Sequence, residues 1–262
     1  MLDRIRSFEA ERGYSASEVI RNKGHLKLLW MYELVFDPRL LNAVEAVLGT
    51  PNILCWGASL FVKDGGEQKH VAWHQDSYYW GIGTEKICTL WLSFADSSAD
   101  NGCLQVLPQS HKQHIRKHGP SPPGSSNMIY NVSGEYREEC VELPRGASQS
   151  FERGAGGARE VLLQPGEFAL FDVNIVHGSA PNTSTGRRAG LGIRYCATSV
   201  KPGPNAASRQ ATLVRGVDEY QHFKPDPRPT KDMDAGLVAA LDIRTQNSLF
   251  DFNLPEHKVP RR

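Results

Sequence analysis

Apolar positions in the first fifth of the chain recur at intervals of three and four. Leu26, Leu29, Trp30 and Leu34 form one series, and Leu40, Val44, Val47 and Leu48 a second, a spacing that lays an apolar stripe along an α-helix. Asp37-Pro38 marks the start of the second helix, since proline at the first helical position gives up an N–H that has no partner there, and Gly49 marks its stop. Residues 1–50 are therefore expected to form a helical cover over one face of a β core. From Asn52 the period falls to two. CWGASLFVK puts Trp56, Ala58, Leu60 and Val62 on one face of a strand and Gly57, Ser59, Phe61 and Lys63 on the other, with a loop at DGGEQK. The second, partly polar face is the better candidate to line a pocket.

Further along, KICTLWLSFAD and CLQVLP alternate as strands around the turn SSADNG. HGSAPNTSTGRRAGLGIRYCATS reads as a strand end, a turn and a return strand. On the return strand Arg188, Gly190, Gly192 and Arg194 share one face, roomy because of its glycines, and Ala189, Leu191, Ile193 and Tyr195 share the other. Residues 119–160 lack sustained periodicity and are rich in Pro, Gly and Ser, which suits a lid over a site. After Ser199 the chain is Pro-rich and polar, but Leu213, Val214, Val217, Tyr220 and Phe223 give it something to bury. Residues 201–262 are expected to pack across the mouth of the core, with Arg215 and His222 contacting a polar substrate; the plainer alternative is local surface ion pairs. The last stretch, from Arg244 on, has no legible chemistry.

The alternation of strands and turns gives an all-β core with flanking helices, a size that 262 residues fit as one domain of residues 1–262 with its core at 52–200. Thirty Lys and Arg against 29 Asp and Glu leave a formal charge of +1, which favours neither nucleic acid nor an anionic membrane as partner. Five scattered cysteines without a CxxC pair argue for reduced thiols. No apolar run approaches a membrane span, and the charged start DRIRSFEAERGY does not read as a signal peptide, so a cytoplasmic location is expected.

Two separated segments carry candidate chemistry. His74 and Asp76 lie two apart in VAWHQDSYYWG, which on an extended strand would place an imidazole and a carboxylate side by side. With His177, a hundred residues on, they complete a two-His-one-carboxylate set, which binds iron on one face and leaves the opposite positions open. If Arg188 shares the face that carries His177, its guanidinium can grip a carboxylate bidentately, as the far end of a dicarboxylic 2-oxo acid requires. Arg187 would then point to solvent. Lys63 suits either an anion of the co-substrate or substrate, or a solvated strand end. Tyr78, Tyr79 and Trp80 could wall the metal or pack beneath it, Tyr78 and Trp80 being the candidates for substrate contact. His111, His114 and His118 lie among Lys and Arg and read as a solvated surface, not a second metal site.

WHQD, then TLWLSFADSSADNGCLQVLPQSHK, then PGEFALFDVNIVHGSAPNTSTGRR, in that order and spacing, resemble the phytanoyl-CoA dioxygenase family of non-haem iron(II) and 2-oxoglutarate oxygenases, over about Trp56 to Ser199. The resemblance implies a double-stranded β-helix, a cupin-like jelly roll of two packed sheets. It implies iron on His74, Asp76 and His177, and 2-oxoglutarate on Arg188, eleven residues past the second His, with support from Ser179. It further implies molecular oxygen as co-substrate, ascorbate as a supporting reductant and hydroxylation of a small molecule with release of succinate and carbon dioxide. Halogenating relatives carry a small residue where Asp76 stands, so oxygenation is the implied outcome. Family members usually have a further segment before the first helix, so the resemblance leaves open whether the pocket wall that segment supplies is present here. Two other readings stay open: a cupin-like metal enzyme that does not use 2-oxoglutarate, and a jelly-roll binding module without catalysis.

Overall fold

In a computed structural model the chain is described for residues 1–83, 85–116, 118–120, 126–127, 139–141, 157–203, 206 and 209–246. It opens with helices α1 (Leu2–Arg12), α2 (Ala16–Val19), α3 (Leu29–Leu34) and α4 (Pro38–Leu48). The reasons for α4 are local. The Asp37 carboxylate accepts from the Arg39 N–H, Pro38 occupies the first turn, and Gly49 ends the helix in the left-handed region at φ 67°.

Eleven of the strands needed to follow the site are β1 (Ile53–Lys63), β2 (Val71–His74), β3 (Ile87–Ser93), β4 (Leu104–Val106), β5 (His118–Pro120), β6 (Glu139–Val141), β7 (Arg159–Val161), β8 (Phe168–Asp172), β9 (His177–Ser179), β10 (Arg188–Ala197) and β11 (Gln210–Arg215). With β12 (Lys224–Pro225) they form a major sheet in the order β12-β11-β1-β10-β3-β8, a minor sheet β2-β9-β4-β7 and a separate pair β5-β6. Two helices lie between or after them, α5 (Ser77–Trp80) and α6 (Ala235–Gln246). The strands are those expected from the alternation, and their two sheets are the jelly roll that the family resemblance implies.

The main hydrophobic core lies between the major sheet and the helical cover. Ala58, Leu60 and Val62 of β1 and Ala189, Leu191, Ile193 and Tyr195 of β10 pack there against Met31, Leu41 and Val44. Each fully buried aliphatic side chain contributes roughly 1.5–3 kcal/mol, so this face holds the sheet rigid and leaves the opposite face free for chemistry. One strand face departs from simple alternation. Cys55 pairs with Tyr195 and Gly57 with Arg194, so Trp56 is an extra residue in a β-bulge. The bulge turns Trp56 away from Ala58 and Leu60 and into a second cluster with Leu54 and Trp80.

One expectation about the chain after Ser199 is corrected. Its residues 210–215 are not a cover over the mouth but strand β11, paired antiparallel with β1 at the edge of the major sheet. The pairing is fixed by distant residues: Asp226, just past β12, accepts from Lys23 Nζ at 2.8 Å in the interior. The expected lid at residues 119–160 lies mostly outside the described residues, as does the chain after residue 246. Of that lid, Asn127 is placed, and its side chain accepts from the Ala72 N–H at 3.2 Å.

Candidate metal and co-substrate site

β2 and β9 are antiparallel neighbours with His74 directly opposite His177, which brings the two imidazoles to 4.1 Å between ring centroids. Asp76 reaches them differently from the strand geometry expected. β2 ends at His74, and Asp76 has helical backbone angles as the residue that opens α5. The chain turns after His74, and the turn brings Asp76 Oδ1 to 3.3 Å from His74 Nε2 and 3.8 Å from His177 Nε2. Among the described residues these three side chains form a group whose ligand atoms all lie within 4.8 Å of one another.

The protonation of the group follows from its outer contacts. Each imidazole Nδ1 lies 2.9 Å from a backbone carbonyl, His74 from Ala72 and His177 from Ile175. A carbonyl only accepts, so each Nδ1 carries the hydrogen and each Nε2 presents a lone pair to the centre. Burial pulls His177 down from 6.5 to about 4, helped by His74, so it stays neutral at physiological pH. Burial alone would raise Asp76, but His177, His74 and Arg194 outweigh it and hold the carboxyl well below its ordinary range. Its Oδ2 accepts from Thr89 Oγ1 at 3.0 Å, which leaves Oδ1 as the free ligand atom. Two imine nitrogens and one carboxylate oxygen, each oriented from behind, fit a divalent transition metal.

Gln75, between the ligands, ties the surrounding loops together. Its Nε2 donates to the Asn174 carbonyl at 2.7 Å and its Oε1 accepts from the Arg116 N–H at 2.8 Å. His118 is buried, not solvated as its basic surroundings suggested. It stacks on Tyr78 at 3.9 Å and its Nε2 accepts from the Gln75 N–H, while burial pulls it down to about 4.

The metal group opens into a cavity of about 430 Å³ whose floor is the inner face of the major sheet. Arg188 lies in it, 2% exposed, with its guanidinium 4.6 Å above the Trp91 ring and its Nε without a hydrogen-bond partner. Desolvation draws it from 12.5 to about 10. A buried guanidinium without a carboxylate is what an incoming carboxylate would satisfy. Gly190 is required here because a methyl in its place would lie 2.4 Å from Trp91 Cζ2. Ser179 lines the same cavity.

Lys63 is neither solvated nor in the cavity. It is fully buried behind Ser179, and its Nζ donates to Ser179 Oγ at 2.6 Å, to the Ala180 carbonyl at 2.5 Å and to the Ser179 carbonyl at 3.3 Å. Burial, then Arg188, pull its pKa well below the ordinary lysine value. Because Ser179 Oγ accepts from Lys63, its own hydrogen is left to donate. Arg187 is not in solvent either: it bridges Asp64 and Glu9.

The remaining expected substrate contacts divide. Trp80 and its neighbour Tyr79 line the cavity, whereas Tyr78 packs on His118 outside it. Arg215 donates to Glu45 on α4 at 2.8 Å and His222 lies near Tyr220; neither lines the cavity, because β11 occupies the sheet edge. Several lining residues were not singled out from the sequence. Thr89, Trp91 and Phe171 lie on alternating strands where they read as core, and Arg194 was legible only as sharing the face of Arg188. Part of the wall comes from the amino-terminal cover, at Ser17, Glu18, Arg21 and Asn22.

Comparison with known proteins agrees with this geometry. Residues 3–190 match the family model described as Phytanoyl-CoA dioxygenase (PhyH). The chain is 30% identical over 166 residues to ectoine dioxygenase of Bordetella bronchiseptica, covering 62% of this chain and 52% of that protein. It is 28% identical to L-proline trans-4-hydroxylase of Streptomyces griseoviridis, covering 71% of each. The chain thus spans about half the length of the ectoine dioxygenase it matches. Among solved structures, the non-heme monooxygenase ThoJ superimposes with a TM-score of 0.71 at 25% identity, covering 93% of this chain and 84% of that one.

Proposed function

Because the chain belongs to the phytanoyl-CoA dioxygenase family, we propose that it is an iron(II)- and 2-oxoglutarate-dependent dioxygenase acting as one catalytic domain, which hydroxylates a small-molecule metabolite and releases succinate and carbon dioxide. The observation that carries this reading is that one cavity holds two imidazole lone pairs, a free carboxylate oxygen and a buried arginine with an unpartnered Nε. A metal site alone would suit many enzymes. The arginine supplies the second half, a seat for the far carboxylate of the co-substrate.

In this reading His74, Asp76 and His177 would hold the iron. Thr89 holds Oδ2 of Asp76, so Oδ1 is the atom that would bind the iron. Arg188 takes the far carboxylate of 2-oxoglutarate through its planar fork, and Ser179, held by Lys63, donates to the same group. Trp91, Phe171 and Tyr79 exclude water from the reacting face. The iron supplies oxygen activation, coupled to oxidative decarboxylation of 2-oxoglutarate. Molecular oxygen is the other co-substrate, and ascorbate serves to keep the iron reduced.

Against a cupin-like enzyme that dispenses with 2-oxoglutarate stands the buried Arg188, which such chemistry leaves unused. Against a binding module stands the open coordination face. Cys55, Cys88, Cys103 and Cys196 are unbridged and buried, which supports a reducing, cytoplasmic setting. Among the described residues no helix is long and apolar enough to cross a membrane.

The test is succinate release by the protein with iron(II), ascorbate and 2-oxoglutarate against a panel of small metabolites. Stimulation of succinate formation by at least one metabolite, with an oxygenated product, is expected. Binding of metal without any measurable 2-oxoglutarate affinity would overturn the reading.

A further inference from the structure

The ionisable groups lining the cavity do not balance in charge. At the mouth, Arg21 faces Glu18 and Lys69 pairs with Glu67. Deeper in, among the described residues, Asp76 is the one carboxylate against Arg188 and Arg194. Bound to a metal through Nε2, His74 and His177 would count as neutral ligands. A divalent metal and a dicarboxylate cancel each other, so loading the site leaves the same surplus of one positive charge. Lys63, behind Ser179, would only add to it.

With Arg188 assigned to 2-oxoglutarate, and Asp76, the carboxylate that acts on Arg194, assigned to the metal, the positive charge left over is that of Arg194. It is 7% exposed, and among the described residues its guanidinium makes one hydrogen bond, from Nη1 to Ser59 Oγ at 2.8 Å, while its Nε has no partner. The rings of Trp80 and Trp56 hold it in place, 5.5 and 5.9 Å from the guanidinium carbon. Ser59 Oγ also accepts from the Asn22 N–H at 2.9 Å. With both acceptor positions taken, the Ser59 hydroxyl has its own hydrogen left to donate. Arg194 lies opposite Gly57 on β1 and Thr89 on β3, six residues along β10 from Arg188, so it serves the other end of the cavity.

We propose that Arg194 and Ser59 form a second anion subsite that receives an acid group of the primary substrate, and hence that this substrate is a small organic acid. A buried guanidinium whose Nε lacks a hydrogen-bond partner costs free energy until an anion meets it, so the site selects acids over neutral analogues of the same shape. This rests on the reading above only in assigning Arg188, and not Arg194, to 2-oxoglutarate.

The experiment uses the full chain loaded with redox-inert manganese(II) and 2-oxoglutarate, followed by tryptophan fluorescence, since Trp56 and Trp80 flank the subsite. Loading is measured first; a wild type that binds no 2-oxoglutarate overturns the functional reading and this proposal together. Matched probes are then titrated: benzoate and benzamide, cyclohexanecarboxylate and its amide, L-proline and L-prolinamide. At least one acid is expected to bind at least about tenfold more tightly than its amide. Arg194→Gln should abolish that preference and leave 2-oxoglutarate affinity within about twofold, while Arg194→Lys, which keeps the charge, should retain a reduced preference. No acid preference in the wild type, preference surviving in Arg194→Gln, or an equal loss of 2-oxoglutarate affinity in that variant would each refute the proposal. If Arg194→Gln does not fold, the wild-type pairs and Arg194→Lys still decide it.

Discussion

Replacing Arg188 separates the binding of 2-oxoglutarate from the stability of the protein, and the structure gives both magnitudes. Burial lowers Arg188 from 12.5 to about 10, a penalty on the order of 3 kcal/mol on the charged form, partly offset by its contact with Trp91. The empty protein therefore gains little from this charge. Its return comes when a carboxylate arrives, and a charge-assisted hydrogen bond of that kind contributes roughly 1.5–3 kcal/mol. Arg188→Lys keeps the charge but loses one limb of the fork, so 2-oxoglutarate affinity should fall by tenfold to roughly a hundredfold. Arg188→Met should abolish the affinity while leaving the melting temperature of the metal-free protein unchanged or higher. Arg187→Lys, at a residue that pairs with Asp64 and Glu9, should leave 2-oxoglutarate affinity unchanged. Calorimetric titration of 2-oxoglutarate into the manganese(II)-loaded variants, with thermal melts of the empty ones, reads all of this. Full affinity in Arg188→Lys, or its loss in Arg187→Lys, would refute the assignment of the strand face.

His74→Ala, Asp76→Ala and His177→Ala should each abolish metal-dependent succinate release, and Thr89→Val should weaken metal binding by roughly 10–100-fold, measured by manganese(II) paramagnetic resonance; full turnover in any of the three would remove that residue from the ligand set. In chloride-containing buffer the product should gain oxygen and no chlorine by mass spectrometry, because Asp76 fills the position a halide would need. Gly190→Ala should displace Trp91 and cost about 1–3 kcal/mol in denaturant unfolding, with loss of 2-oxoglutarate binding. His118, lowered from 6.5 to about 4 by burial, contributes stability that is present above pH 6.5 and lost as pH falls towards 4, about 2 kcal/mol by pH 5. His118→Phe, which can keep the stack on Tyr78, should shrink the stability difference between pH 7 and pH 5 by about that amount; an unchanged difference would show that other groups carry it.

The sequence by itself determined what depends on neighbours a few residues away. Asp37, Pro38 and Gly49 bound α4 through local capping, and the alternation of β10 put Arg188 and Arg194 on the cavity side and Leu191 and Ile193 in the core. The choice of Arg188 over Arg187 came from the family resemblance, and Arg188 lies in the cavity while Arg187 does not. Other features were decided by contacts between distant segments, which no local period records. The unpaired residue at Trp56 depends on the register of β1 against β10, and it moved an aromatic ring from the expected face to the wall beside Arg194. Asp76 joins the histidines through a turn that α5 imposes after β2. Lys63 lost the solvent a strand-end lysine would have because the Ser179–Ala180 carbonyls, 116 and 117 residues away, close over it. Arg215 and His222 had the composition of a substrate-facing segment, yet β11 completes a sheet edge and turns Arg215 to Glu45. Side-chain periodicity follows from the geometry of one strand or helix, whereas register, bulges and charge burial are settled only when the sheets pair and pack.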